Sequence, residues 1–104
     1  MNKVNIFSHL PEFPQKDELL EKIIDCDITI ERIVSTGQSS PDDYFYCQET
    51  NEFVILLSGS ATLDLNDKII ELHPGDYLSI PALTKHRVLK TDPLAHTVWL
   101  AVHY

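Results

Sequence analysis

Five histidines (His9, His73, His86, His96, His103) and two cysteines (Cys26, Cys47) are the side chains here best suited to ligate a metal, move a proton or act as a nucleophile near neutral pH. Their spacing excludes more than it admits. The chain has no Cys-x-x-Cys, no His-Glu-x-x-His, no Gly-x-Ser-x-Gly, no P-loop and no Gly-x-Gly-x-x-Gly. A Cys47–His86 nucleophile–base pair is chemically conceivable, but nothing in the sequence orients the two. Cys26 follows an apolar segment and reads as a buried, reduced structural thiol. His9, His73 and His96 fall in turns or loops and read as surface residues. His86 opens a strand after a turn that begins Pro81-Ala82. His103 shares a strand face with Trp99 and Ala101, which matters only where that face lines a pocket or a subunit contact.

The elements that must hold such groups are mostly strands. Residues 1–14 read as an extended lead-in, because Pro11 and Pro14 interrupt any helix. Leu19, Leu20, Ile23 and Ile24 recur at helical spacing, with Asp17 and Glu18 in the first turn, where a helix dipole favours negative charge. One short helix is therefore predicted over about 16–25. From Ile28 the pattern changes. Ile28 to Val34 is β-branched and mostly alternating, residues 37–43 form a Gly/Ser/Pro/Asp loop, and Tyr44 to Gln48 suits a strand by its aromatics. Further strands are expected at Phe53–Leu57, Ala61–Leu65, Lys68–Leu72, Tyr77–Ile80, His86–Lys90 and Thr97–Tyr104, with Ser58-Gly59-Ser60 turning the first of these back. Short strands at close spacing between Gly and Pro turns indicate an all-β sandwich or barrel. The organisation expected is an N-terminal extension over 1–27 and a barrel domain over 28–104.

Composition narrows the partners. At 104 residues, 43% of them hydrophobic, the chain suits one domain with one modest core. A formal charge of −8 and the lack of any Lys/Arg cluster argue against nucleic acid. The longest apolar run, Phe53 to Leu57, is far below the roughly 20 residues that span a bilayer, so no membrane partner is expected. Met1 to His9 lacks the apolar core of a signal peptide, and a cytoplasmic location is the expectation.

The stretch Leu72-His73-Pro74-Gly75-Asp76-Tyr77-Leu78-Ser79-Ile80-Pro81-Ala82-Leu83-Thr84-Lys85-His86-Arg87-Val88-Leu89 resembles the second motif of the cupin family: Pro-Gly, an aliphatic strand, Ile-Pro, then His-x-Val. Glu52-x6-Gly59 is similar to the second half of the first cupin motif, and Trp99 to Tyr104 looks like the ending of small single-domain bacterial cupins. The resemblance covers about residues 30–104. It implies a cupin-type double-stranded β-helix, or jelly-roll barrel, with the predicted helix packed outside. It also implies a divalent transition metal (Zn, Fe, Mn, Ni or Cu) in the lumen, and a homodimer formed through edge strands and the N-terminal segment, with 28–34 as a candidate strand.

The histidines of the first motif are missing here. Counting back three residues from Glu52 puts Gln48 and Tyr46 at their positions; counting back four puts Cys47 and Phe45 there. The ligand set implied is Tyr46, Gln48, Glu52 and His86, with Cys47 as the alternate. A tyrosine hydroxyl must lose a proton to bind well and a Gln carbonyl is a weak donor, so such a site holds a metal weakly; a Cys47 thiolate would bias it toward Zn or Cu(I). Each residue also has a plain role: Tyr46 and Gln48 as barrel wall, Glu52 as a solvated carboxylate, His86 as a hydrogen-bonded pocket histidine. Two functions stay open. One is a metal-dependent enzyme acting on a small oxygen-bearing substrate; the other is a metal-free module that binds or senses a small polar molecule. No catalytic residue and no substrate are assigned.

Overall fold

Alternating side chains and tight turns fold the chain into eight strands: β1 (Leu19–Asp25), β2 (Thr29–Ser35), β3 (Glu52–Ser58), β4 (Ala61–Leu65), β5 (Lys68–Leu72), β6 (Tyr77–Ile80), β7 (His86–Thr91) and β8 (Thr97–His103). The computed structural model describes residues 2–104. Two antiparallel sheets result, one ordered β1-β2-β8-β3-β6 and the other β5-β4-β7. Strand alternation is what separates core from surface: in β4, Ala61 and Leu63 are buried, whereas Thr62 and Asp64 are half-buried. The larger sheet supplies Val54, Leu56, Trp99 and Ala101, with Val54 opposite Ala101 and Leu56 opposite Trp99. Leu72 and Ile80 complete the core. Full burial of side chains of this size contributes about 1.5–3 kcal/mol each.

Gly59 carries the chain from β3 in one sheet to β4 in the other. Its φ is +83°, and a Cβ there would stand 2.3 Å from Thr97 Oγ1 and 2.6 Å from Thr97 Cα. Both the turn and the close approach of β8 require glycine.

The helix predicted over 16–25 is not formed, and there is no helix among the described residues. Residues Leu19–Asp25 are instead strand β1, paired with β2 from Leu19–Val34 to Asp25–Thr29, with a bulge between Lys22 and Ile24. The apolar residues come in two doublets, 19/20 and 23/24, whose spacing mimics a helical stripe. In a bulged strand the same doublets fall on both faces, and pairing to β2 outweighs the local pattern. Cys26 is also corrected: it lies exposed in the β1–β2 turn. The strand expected at Tyr44–Gln48 reduces to a single bridge between Tyr46 and His86.

The lead-in straps across the outer face of the larger sheet. Arg32, 7% exposed, projects outward from β2 and forms an ion pair with Glu21. Its guanidinium donates to the main-chain carbonyls of Ile6 (3.1 Å), Ser8 (2.5 Å) and His9 (3.4 Å). Further along, His96 Nε2 donates to the Pro11 carbonyl at 2.6 Å, and the Phe13 ring meets His96 edge to face.

Candidate functional site

Register decides what faces inward. Glu52 stands directly opposite His103, one pleat step from the Val54–Ala101 pair of the core. On the other side of β8, Thr29 faces His103 and Glu31 faces Ala101, so Glu31 lies diagonal to His103 on the same face. From the smaller sheet comes His86, paired with Leu65. These groups line a cavity of about 720 Å³, whose wall also includes the core residues Val54, Leu63, Ile80 and Trp99. Tyr46, Gln48, Glu52 and His86 are all brought together there. Cys47 is exposed and does not line the cavity.

Two carboxylate–imidazole pairs share the site. His86 Nε2 lies 3.5 Å from Glu52 Oε1, while His103 Nε2 lies 2.9 Å from Glu31 Oε1 and 3.9 Å from Glu52 Oε2. Glu52 thus stands between the two rings. His86 Nδ1 is 2.9 Å from the Thr84 carbonyl, which can only accept, so Nδ1 carries a proton. With Nε2 also protonated, both N–H groups have acceptors. Glu52 is the main reason the His86 pKa is raised; burial opposes the shift and Thr84 assists it.

Tyr46 packs by its face. Its ring stacks on the His86 imidazole with centroids 5.7 Å apart, and the two residues exchange main-chain hydrogen bonds of 2.7 and 3.0 Å. Burial, then the charge of Glu18, push the phenol pKa up, so it stays protonated at neutral pH. Gln48 Oε1 is buried with no hydrogen-bond partner. An unsatisfied amide oxygen costs about 1–3 kcal/mol and marks a place where a donor is wanted.

Two further wall residues, Glu18 and Glu31, were not foreseen from the sequence. Trp99 Nε1 donates to Ser35 Oγ at 3.0 Å, and Ser35 Oγ donates to Glu18 Oε2 at 3.1 Å. Burial raises the Glu18 pKa, the Ser35 hydroxyl opposes this, and the Glu31 charge adds to it. A helix over 16–25 would put Glu18 in its first turn, where the dipole alone accounts for a negative charge. For Glu31 a signal existed: the alternation Thr29, Glu31, Ile33 files it with an apolar residue. The shared face of Trp99 and His103 does line the cavity.

A resident divalent metal needs several donors around one point, with imidazole lone pairs free to bind it. Among the described residues no group of three or more His, Cys, Asp or Glu is so arranged. His86 donates Nδ1–H to the Thr84 carbonyl, which leaves only Nε2 for a metal, and Nε2 lies 3.5 Å from Glu52 Oε1. Tyr46 keeps its proton and Cys47 lies outside. This donor set does not fit the implied metal.

The Cupin domain model matches residues 32–103. No curated protein matches the chain. Among solved structures, a Ralstonia eutropha protein described as a putative mannose-6-phosphate isomerase is 37% identical with a TM-score of 0.94, the match covering 99% of this chain and 97% of that one. A cupin superfamily protein of Desulfitobacterium hafniense is 19% identical with a TM-score of 0.79, covering 99% and 91%. The polyketide cyclase RemF of Streptomyces resistomycificus is 23% identical with a TM-score of 0.74, covering 99% and 78%. These last two share the fold alone. A two-sheet β-barrel closed at Gly59, with Glu52 and His86 in its lumen and a family match over most of its length, makes this chain a member of the cupin family.

Proposed function

We propose that the protein binds a small polar molecule in the barrel lumen without a resident metal. The observation that carries this reading is the cavity of about 720 Å³ whose polar groups are paired with one another as carboxylate and imidazole, with Gln48 Oε1 left over. Glu52 and His86 orient the ligand from opposite sheets, and Gln48 accepts one of its hydrogen bonds. The His86 imidazolium and the Glu31 and Glu52 carboxylates are also able to give and take a proton from a bound molecule. Phosphorylated sugars, suggested by the name of the Ralstonia relative, suit this wall poorly. Carboxylates dominate it, and the one ammonium group, Lys16, is exposed.

The test is elemental mass spectrometry on protein purified without chelator, followed by ligand titration of the chelator-treated protein. Metal well below one equivalent, unchanged in His86→Ala, with ligand binding retained after chelation, supports the reading. Near-stoichiometric metal lost in His86→Ala overturns it and restores the metalloenzyme.

We propose a homodimer on the same footing. β1 is an edge strand with Leu20 (56%), Ile23 (52%) and Ile24 (44%) exposed, an unpaired edge suited to a second copy of the chain. Sedimentation equilibrium checks it, and Ile23→Lys should shift a dimer toward monomer.

A further inference from the structure

We infer that the lumen selects a ligand with a positive charge, an organic ammonium group seated between Glu18, Glu31 and Glu52. This rests on the metal-free binding proposed above and adds the class of ligand. Three carboxylates that are buried or half-buried line the cavity, those of Glu18, Glu31 and Glu52, against two imidazoles, and the exposed Asp17 and Lys16 offset each other at its edge. Even with both rings protonated, acid exceeds base. Glu31 has His103 and Glu52 has His86, but the hydrogen bond that Glu18 accepts is from the neutral Ser35 hydroxyl. Lys22, opposite Glu31 in the strand register, pairs with Asp25 at 3.6 Å instead.

The unfilled capacity of the wall is acceptor capacity. Gln48 Oε1 has no donor and Glu18 accepts from a neutral hydroxyl, and an ammonium group supplies N–H donors and charge together. The aromatic side chains of Trp99 and Tyr46 line the same space. A carboxylate or phosphate ligand would meet like charge on this side. A metal ion would need donors converging on one point, which the described residues do not provide.

Trp99 is the only tryptophan, and it lines the cavity, so its fluorescence reports binding. The experiment titrates chelator-treated protein with ethanolamine, putrescine and choline. Each is compared with an uncharged partner of similar shape: ethylene glycol, butanediol and dimethylbutanol. At least one amine should bind about tenfold or more tighter than its partner. In Glu18→Gln, which keeps an acceptor for Ser35, that preference should fall to about threefold or less while the alcohol affinities hold. Glu31→Gln gives an independent second reading.

Equal binding of amines and alcohols overturns the charge selection and leaves lumen binding standing. So does tighter binding of mannose 6-phosphate than of any amine, or full amine preference in both variants. Binding of Zn or Mn with none of the amines overturns both the ammonium claim and the metal-free reading. Binding of nothing in either set removes both as well.

Discussion

The two carboxylate–imidazole pairs are built in different ways. Glu31 and His103 sit diagonally on neighbouring strands of one sheet, so register alone brings them to 2.9 Å. Glu52 and His86 belong to different sheets and meet at 3.5 Å only because the barrel closes. The inter-sheet pair is also the drier one, its side chains 8% and 11% exposed against 17% and 16% for the other. A contact made within a sheet tests pairing. A contact made between sheets tests the whole fold.

The strongest way to break that contrast is at the closure. Gly59→Ala should cost about 3 kcal/mol in urea unfolding, since the new Cβ meets the Thr97 backbone at a positive φ. If the variant unfolds at the wild-type midpoint, Gly59 does not govern closure. Next come the pairs themselves. His86→Ala should destabilise by about 2–3 kcal/mol because it leaves Glu52 buried without its closest partner; His103→Ala, on the more exposed pair, should cost about 1 kcal/mol. Equal losses would remove the distinction between them.

Acidity sharpens the comparison. The folded His86 pKa is raised above its unfolded value of 6.5, so its contribution is fully present below pH 6.5 and is lost as pH rises through the folded pKa. The stability gap between wild type and His86→Gln should therefore shrink from pH 6 to pH 9. A gap that widens with pH contradicts the protonated pairing. The smallest effect expected is a gain. Glu18 is held at a raised pKa chiefly by burial, and so its stabilising contribution is lost as pH rises through the folded pKa, leaving a desolvated carboxylate. Glu18→Gln should add about 0.5 kcal/mol near pH 8 and nothing near pH 4, measured by thermal unfolding.

Much of this was legible in the sequence. Pro74-Gly75-Asp76, the Tyr77–Ile80 strand and the His86 that follows mark their own turns; Gly59 marks a turn too, but that turn crosses from one sheet to the other and closes no hairpin. That route led to Glu52, His86, Gln48 and Tyr46, all of them on the cavity wall. The acidic side of the wall, Glu18 and Glu31, was not legible. Those residues lie on or just before strands whose place depends on partners far along the chain: β1 is a strand only because β2 pairs with it, and β2 faces inward only through its register with β8. Local periodicity at Leu19–Ile24 pointed to a helix because the bulge that defeats alternation leaves no composition signal. The loss of the two first-motif histidines removed the pattern that names a metal but left the wall in place.

The strap over Arg32 carries a consequence for how this chain is able to vary. Ile6, Ser8 and His9 hold the guanidinium through their main-chain oxygens, so the side chains at those three positions contribute nothing to that grip. The contact reads the path of the chain and not its spelling. As far as that grip goes, the letters at Ile6 and Ser8 are free to drift over generations, His9 being held further by its positive φ, whereas one inserted or deleted residue would slide the carbonyls out of reach and strand a buried charge.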